Sequence, residues 1–196
     1  AIIITHPSFG KLKMKEESIA PVRDAFLQEL RDSLQDMEDD DAPRHKIKQM
    51  EKRIEQAEQR FANMVGGAGK DNVVTFEEMG VDFLFVDEAH QFRKLDFTTN
   101  RQAKGIDANG SIMAMDLYIK TLWLESQNKG RSHCFASGTP IVNTMGELYT
   151  IMRFFNEKQM EEDGIRYFDS WANMFGQMAQ GMEMNAAGRY ELVERF

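Results

Sequence analysis

Four consecutive apolar residues, Phe83-Leu-Phe-Val86, run without a break into two carboxylates, Asp87 and Glu88. An apolar run this short suits a strand covered on both faces, as in a parallel sheet flanked by helices. Acids at the carboxyl end of such a strand stand at the crevice where open α/β sheets bind ligands. In nucleotide hydrolases a strand-end Asp of this type holds Mg²⁺ on the phosphates, and a neighbouring group positions the attacking water. The alternative is local: Asp87 and Glu88 simply cap the next helix, since acids favour the first turn.

Upstream of this run the chain changes character twice. Ala1 to Thr5 reads as a buried strand, followed by a His6-Pro-Ser-Phe-Gly10 loop. A chain that opens inside a strand at Ala1 is expected to be a piece of a longer protein. From about 18 to 64 the pattern is helical. Ile19, Val22, Phe26, Leu30, Leu34 and Met37 recur at the spacing of one helix face, with Ser18 as N-cap and Pro21 in the first turn. Acidic residues 36 and 38–41 mark a turn before Pro43. Ile47, Met50, Ile54, Ala57, Phe61 and Met64 then form a second seam. Together these predict an antiparallel helical hairpin whose charges form a solvated outer face. Gly66-Gly-Ala-Gly-Lys-Asp71 resembles a phosphate loop only superficially. Met64 stands where the pattern needs its first Gly, Asp71 where it needs Ser or Thr, and a helix rather than a strand precedes it. It reads as a helix end and linker.

Downstream, residues 96–110 are polar and predict a loop. Ser111 caps a helix with a stripe of Ile112, Met115, Ile119 and Leu122. Ser132 to Ser137 reads as another strand, with Cys134 a small core residue, broken at Gly138-Thr-Pro140. Thr144 and Glu147 have capping-box spacing before a helix that buries Leu148, Ile151, Met152 and Phe155. Trp171, Met174, Phe175 and Met178 have helical, core-like spacing, with the Met-rich run to Met184 an alternative contact surface.

The composition limits what this architecture can do. With 32 Asp and Glu against 24 Lys and Arg, the surface is not generally basic, so any nucleic-acid contact is local. One cysteine excludes an internal disulfide and fits a cytoplasmic location. No apolar run approaches the roughly 18–20 residues of a membrane span, and the opening residues do not read as a charged-then-apolar leader. The scattered histidines have no metal-site spacing.

Asp87-Glu-Ala-His90 spells the box that names the DEAH helicases, and Ser137-Gly-Thr-Pro-Ile-Val-Asn143 leads into Glu147-Leu-Tyr149. In this order the segments resemble the first motor lobe of Swi/Snf-type helicases of superfamily two. The wording of Phe76-Glu-Glu-Met-Gly-Val-Asp82 and Tyr167-Phe-Asp-Ser-Trp-Ala172 is similar to the large helicase/methylase proteins of bacterial mobile elements and phages, in which an adenine-specific DNA methyltransferase region often accompanies the motor. The resemblance covers residues 1–12 and about 73–178.

The resemblance implies an α/β fold: a partial RecA-like parallel sheet of the P-loop NTPase type, with flanking helices and an inserted antiparallel helical hairpin. Residues 1–12 and 73–160 would be motor lobe, 13–72 the insertion, and 161–196 a helical, Met-rich tail. ATP and Mg²⁺ are the implied cofactors. Asp87 would hold the metal, Glu88 would activate water, and His90 would couple the nucleotide site to Ser137, Gly138, Thr139 and Asn143. Thr5, His6 and Ser8 would touch the DNA backbone, with Lys11, Lys13 and Lys15 adding local positive charge. Arg93 and Lys94 read equally as surface charge and as contacts to DNA or a second lobe.

The departures matter as much. No Gly-Lys-Ser/Thr occurs in these 196 residues, and the second lobe with its arginine finger is expected to lie elsewhere in the parent protein. The partners implied are therefore DNA and the remainder of the parent chain, with no membrane. These 196 residues alone are expected to bind ATP feebly and to lack ATPase activity. Two rivals stand beside this reading. One is a protein-interaction module built on a relic motor lobe. The other is a self-sufficient nucleotide hydrolase using Lys70.

Overall fold

The computed structural model describes residues 1–65, 74–99, 101, 103, 105–142 and 144–196. The Gly66–Asp71 loop, with Lys70, and Asn143 lie outside the described residues. The described chain forms two units, 1–85 with 116–134 and 86–115 with 135–196.

The first unit is built on two long helices, α2 (Glu16–Asp39) and α3 (Arg44–Met64). They bury the seams the periodicity marked. Ile19, Phe26, Leu27 and Leu30 come from one helix, and Met50, Ala57, Phe61 and Met64 from the other. The Phe26 and Phe61 rings meet at 6.1 Å, and Arg31 bonds Glu58 at 2.9 Å, so the helices run antiparallel. The start differs from expectation. α2 begins at Glu16 with extended Lys15 as its N-cap, so Ser18 is inside the helix and Pro21 falls past the first turn. The missing N–H of Pro21 therefore removes an interior hydrogen bond.

The opening residues are not a buried strand. Ile3 is 99% exposed, with Ile2 and Ile4 also exposed. A strand covered on both faces needs sheet neighbours, and the described residues contain only two sheets of two strands each. His6–Phe9 instead winds into a single helical turn, α1. Met14 then pairs with Val65, and its N–H donates to the Met64 carbonyl at 3.2 Å.

One of the two sheets is the pair formed by β1 (Leu84–Val86) and β2 (His133–Phe135). The Leu84 N–H donates to Ser132 O, and the Ala136 N–H to Val86 O. The bonds step forward along both strands, which makes the pair parallel. The apolar run therefore does form a strand, but only one of its faces is covered: Val86 is buried and Phe85 is 83% exposed. Cys134 is exposed as well, on the uncovered face rather than in a core. Alternation along a strand sends successive side chains to opposite sides, and a two-stranded sheet has cover for one.

Helix α4 (Ile112–Gln127) is capped as expected, by Ser111 Oγ accepting from the Ala114 N–H at 3.1 Å. Its middle is buried all round rather than along one stripe: every residue from Ala114 to Thr121 is buried, while Ile112 is exposed.

The second unit centres on Trp171, which packs with Phe97, Tyr149, Met160, Ile165, Phe168 and Ala172. Phe97 stacks on Phe168 at 4.4 Å and comes from the segment expected to be a polar loop. The buried face of α5 (Gly146–Glu162) is shifted from the predicted one: Leu148 and Met152 pack half-buried against this core, Tyr149, Thr150, Arg153 and Phe154 are buried, and Phe155 is exposed. Its apolar periodicity misled because Glu147, Thr150 and Arg153 are buried through polar partners. Arg153 forms two bonds with Glu157 at 2.9 and 3.0 Å.

After α6 (Phe168–Phe175) the tail is not helical. It forms an antiparallel hairpin of β3 (Ala179–Met184) and β4 (Tyr190–Arg195), pairing Met182 with Leu192 and Met184 with Tyr190. Met174 and Phe175, expected in a core, are exposed. The helix stops where Gly176 adopts an extended conformation, and period-two alternation then places Met182 and Met184 on one face.

Candidate functional site

The site is positioned by the continuation of the β1–β2 ladder. Past Val86 the backbone turns, and the Ala89 N–H donates to Ala136 O at 3.0 Å. This bond brings the Asp87-Glu-Ala-His90 turn against the residue that follows Ala136, which is Ser137. Glu88 takes a left-handed conformation, φ 51°, uncommon for a residue with a side chain. Its own N–H donates to Asp87 Oδ1 at 3.0 Å. The residues after it, Ala89–Phe92, form a 3₁₀ turn that no side chain caps, so the acids do not serve as a helix N-cap here.

His90 is half-buried, with Nδ1 between two partners: Ser137 Oγ at 3.2 Å and Glu88 Oε2 at 3.1 Å. A carboxylate at that distance favours a proton on Nδ1, because two lone pairs facing each other repel. The Nδ1–H is then shared between the carboxylate and the hydroxyl oxygen. Ser137 Oγ also accepts from the Thr139 N–H at 3.2 Å, which leaves the hydroxyl proton free to donate outward.

Asp87 and Glu88 are exposed, as are Gly138, Thr139 and Pro140. A Cβ added at Gly138 would meet nothing within 4 Å, so the fold itself does not demand glycine there. The structure thus brings together Glu88, His90, Ser137 and Thr139, with Asp87 hydrogen-bonded to its neighbour. Thr5, His6 and Ser8 are in the other unit. There Thr5 Oγ1 donates to Ser8 Oγ at 3.0 Å, and His6 opens the α1 turn.

Sequence reasoning missed two groups. Glu147 is not half of a capping box, since the helix starts at Gly146 with Met145 before it. Its carboxylate is 3% exposed and takes the Arg93 Nε–H at 2.9 Å and the Val142 N–H at 2.6 Å. Arg93 also donates to the His90 carbonyl at 2.7 Å, so its guanidinium is held between the acid turn and Glu147. Lys94 pairs with Asp107 at 2.8 Å, which holds the Asp107 carboxyl below its usual range. A cavity of about 30 Å³ lies beside these pairs, lined by Arg93, Lys94, Asp107, Thr144, Glu147 and Thr150 among others. Only the Glu147 position, three after Thr144, left a trace in the sequence, and spacing alone assigned it the wrong partner.

The second missed group is in the first unit. Lys120, wholly buried, donates to Asp116 Oδ2 at 2.6 Å and to Phe9 O at 3.1 Å, and sits 4.3 Å over the Phe9 ring. Burial pushes the Asp116 carboxyl up to about 6 and the Lys120 ammonium down, against their mutual attraction. His133 is pushed down to about 4 by burial and is neutral at neutral pH. Among the described residues no three His, Cys, Asp or Glu side chains converge to hold a metal ion. None of the described helices is long and apolar enough to cross a membrane.

A curated relative, the "Defense against restriction protein B" of Escherichia phage P1, is 27% identical over 121 residues. That alignment covers 59% of this chain but 5% of the phage protein, so the chain spans a small part of that relative's length. No solved structure matches. The sequence model of the family described as "Probable helicase domain" matches residues 1–196 throughout. By that match across its whole length, the chain belongs to the family of probable helicase domains.

Proposed function

We propose that the chain is part of an ATP-driven DNA helicase or translocase of the Swi/Snf-like branch of superfamily two, and that its β1–β2 pair belongs to a RecA-like sheet. One observation carries this reading: the Asp87–His90 turn and the Ser137–Thr139 segment, far apart in sequence, meet at 3.2 Å through His90 and Ser137. In a motor of this kind a change at the nucleotide must reach the nucleic acid through such a contact. A hydroxyl with one free proton, held by an imidazole that also faces the catalytic acid, is suited to exchanging partners as phosphate contacts change.

Glu88 is the residue assigned to orient and deprotonate the attacking water; its left-handed backbone turns it out of the strand direction and into solvent. The donor chemistry at Asp87 fits Mg²⁺, which takes one or two protein carboxylates and leaves its other positions to phosphates and water. When bound, the ion would neutralise charge on the phosphates. Thr5, His6 and Ser8 are assigned to the DNA backbone, where hydroxyl and imidazole groups supply position rather than sequence choice. The lysine loop and the arginine finger that such chemistry needs would come from elsewhere in the parent protein.

The test is ATP hydrolysis by the full-length protein with and without duplex DNA, beside Glu88→Gln. DNA-stimulated turnover that falls by ~10²-fold or more in the variant supports the motor, as expected for loss of a general base. Wild-type protein without DNA-stimulated turnover ends it. A second reading, a protein-interaction module, draws on the β3–β4 hairpin, whose Met182, Met184, Tyr190 and Leu192 are all exposed on one face. It would be favoured by partner capture that survives Glu88→Gln and is lost when that face is made polar.

A further inference from the structure

The loop that follows β2 is not held by packing. Gly138 to Pro140 are exposed, and the Ile141 and Val142 side chains reach solvent. Its anchors are hydrogen bonds. At one end Ser137 Oγ accepts from the Thr139 N–H. At the other, the Val142 N–H donates to Glu147 Oε2 at 2.6 Å, while Oε1 of the same carboxylate accepts from Arg93 Nε at 2.9 Å. Arg93 completes the connection through its 2.7 Å bond to the carbonyl of His90. Among the described residues, two side-chain routes therefore join the acid turn to the loop, beside the backbone bond from Ala89 to Ala136. One is direct, from His90 to Ser137, and the other passes through Arg93 and Glu147 to Val142.

The second route has the chemistry of a rigid spacer. A buried carboxylate is costly unless its oxygens accept hydrogen bonds. Both oxygens of Glu147 do so, and charge-assisted bonds are short and directional. A guanidinium donates along fixed directions, so the same side chain sets the distance from the His90 carbonyl to the carboxylate. Glu147 sits in the first turn of α5, where the helix dipole further favours its charge.

We propose that Arg93 and Glu147 form a positioning clamp that fixes the reach of the 137–142 loop relative to the Asp87–His90 turn. The role of that loop in turnover rests on the motor reading given above; the clamp itself rests on the contacts alone. Neither residue is assigned to touch nucleotide. They act through His90 and through the Val142 amide.

The full-length protein carries the test, in the variants Glu147→Gln and Arg93→Lys. Glutamine keeps the shape but offers one acceptor oxygen, and lysine keeps the charge but lacks the fork. Amide exchange of peptides covering 137–142 should quicken by roughly ten- to a hundred-fold, the worth of one hydrogen bond to a charged group. Peptides around Trp171 should not change, which separates a loosened loop from a damaged core. DNA-stimulated turnover should fall by about ten-fold while the KM for ATP stays within about two-fold, with Arg93→Lys retaining more activity than Arg93→Met. Unchanged exchange at 137–142 overturns the clamp. Faster exchange with undiminished turnover, in a protein that Glu88→Gln inactivates, overturns its part in the reaction. Wild-type protein without turnover removes the motor reading, and the exchange result still decides the clamp.

Discussion

Glu147 and Lys120 are among the buried charges whose roles the sequence misassigned or overlooked, and each is bonded to a residue distant in the chain. Glycines show the same dependence on neighbours. Gly110 lies where a Cβ would come within 2.2 Å of the Asp96 amide nitrogen, and its own N–H donates to Asp96 Oδ1 at 2.8 Å. Gly138 has open space. Gly110→Ala is therefore expected to lower stability by about 1–3 kcal/mol through overpacking. Gly138→Ala should leave it within about 0.5 kcal/mol. Urea denaturation of both variants checks the contrast. If the 137–139 segment exchanges contacts during turnover, as proposed, Gly138→Ala should still slow the full-length protein. Glycine permits a close backbone approach that a methyl group blocks. Nothing in the sequence distinguishes these two glycines, because each follows a polar residue or a serine in a loop.

Among the elements, α2, α3 and the start of α4 were legible because one face of each repeats every three or four residues and Ser111 caps as its position suggests. The middle of α4 was not. Asp116 and Lys120 look like an exposed i, i+4 pair, yet Lys120 has no exposed surface and lies over the Phe9 ring. Removing one partner of a buried pair leaves an uncompensated charge. Lys120→Met alone is expected to cost about 3–5 kcal/mol, and the double change Asp116→Leu with Lys120→Met to restore most of it. A double-mutant cycle by chemical denaturation measures this, and equal loss in single and double variants would refute it. In α5 the same blindness shifted the predicted face. The β3–β4 hairpin escaped notice because Met and Phe at positions 174, 175 and 178 fit a helical repeat until Gly176 breaks it.

For the whole molecule, the chain belongs to the family of probable helicase domains, and within it His90 and Ser137 meet at 3.2 Å. The exposed face of β1 supplies a further check. In this chain Phe85→Thr removes an 83% exposed ring, and stability should move by less than about 0.5 kcal/mol. In the longer protein the RecA-like proposal requires, further strands and helices would cover that face, and the same change should cost about 1.5–3 kcal/mol. Thermal or urea unfolding of both forms decides, and a neutral result in both counts against the covered sheet. The amino-acid sequence by itself determined the local elements and the two motifs, since both are written in residues close together along the chain. Only the tertiary structure decided which charges are buried and which face of each element turns inward. Burial of a charge depends on a partner such as Arg93 for Glu147, 54 residues away, and no periodicity encodes that distance.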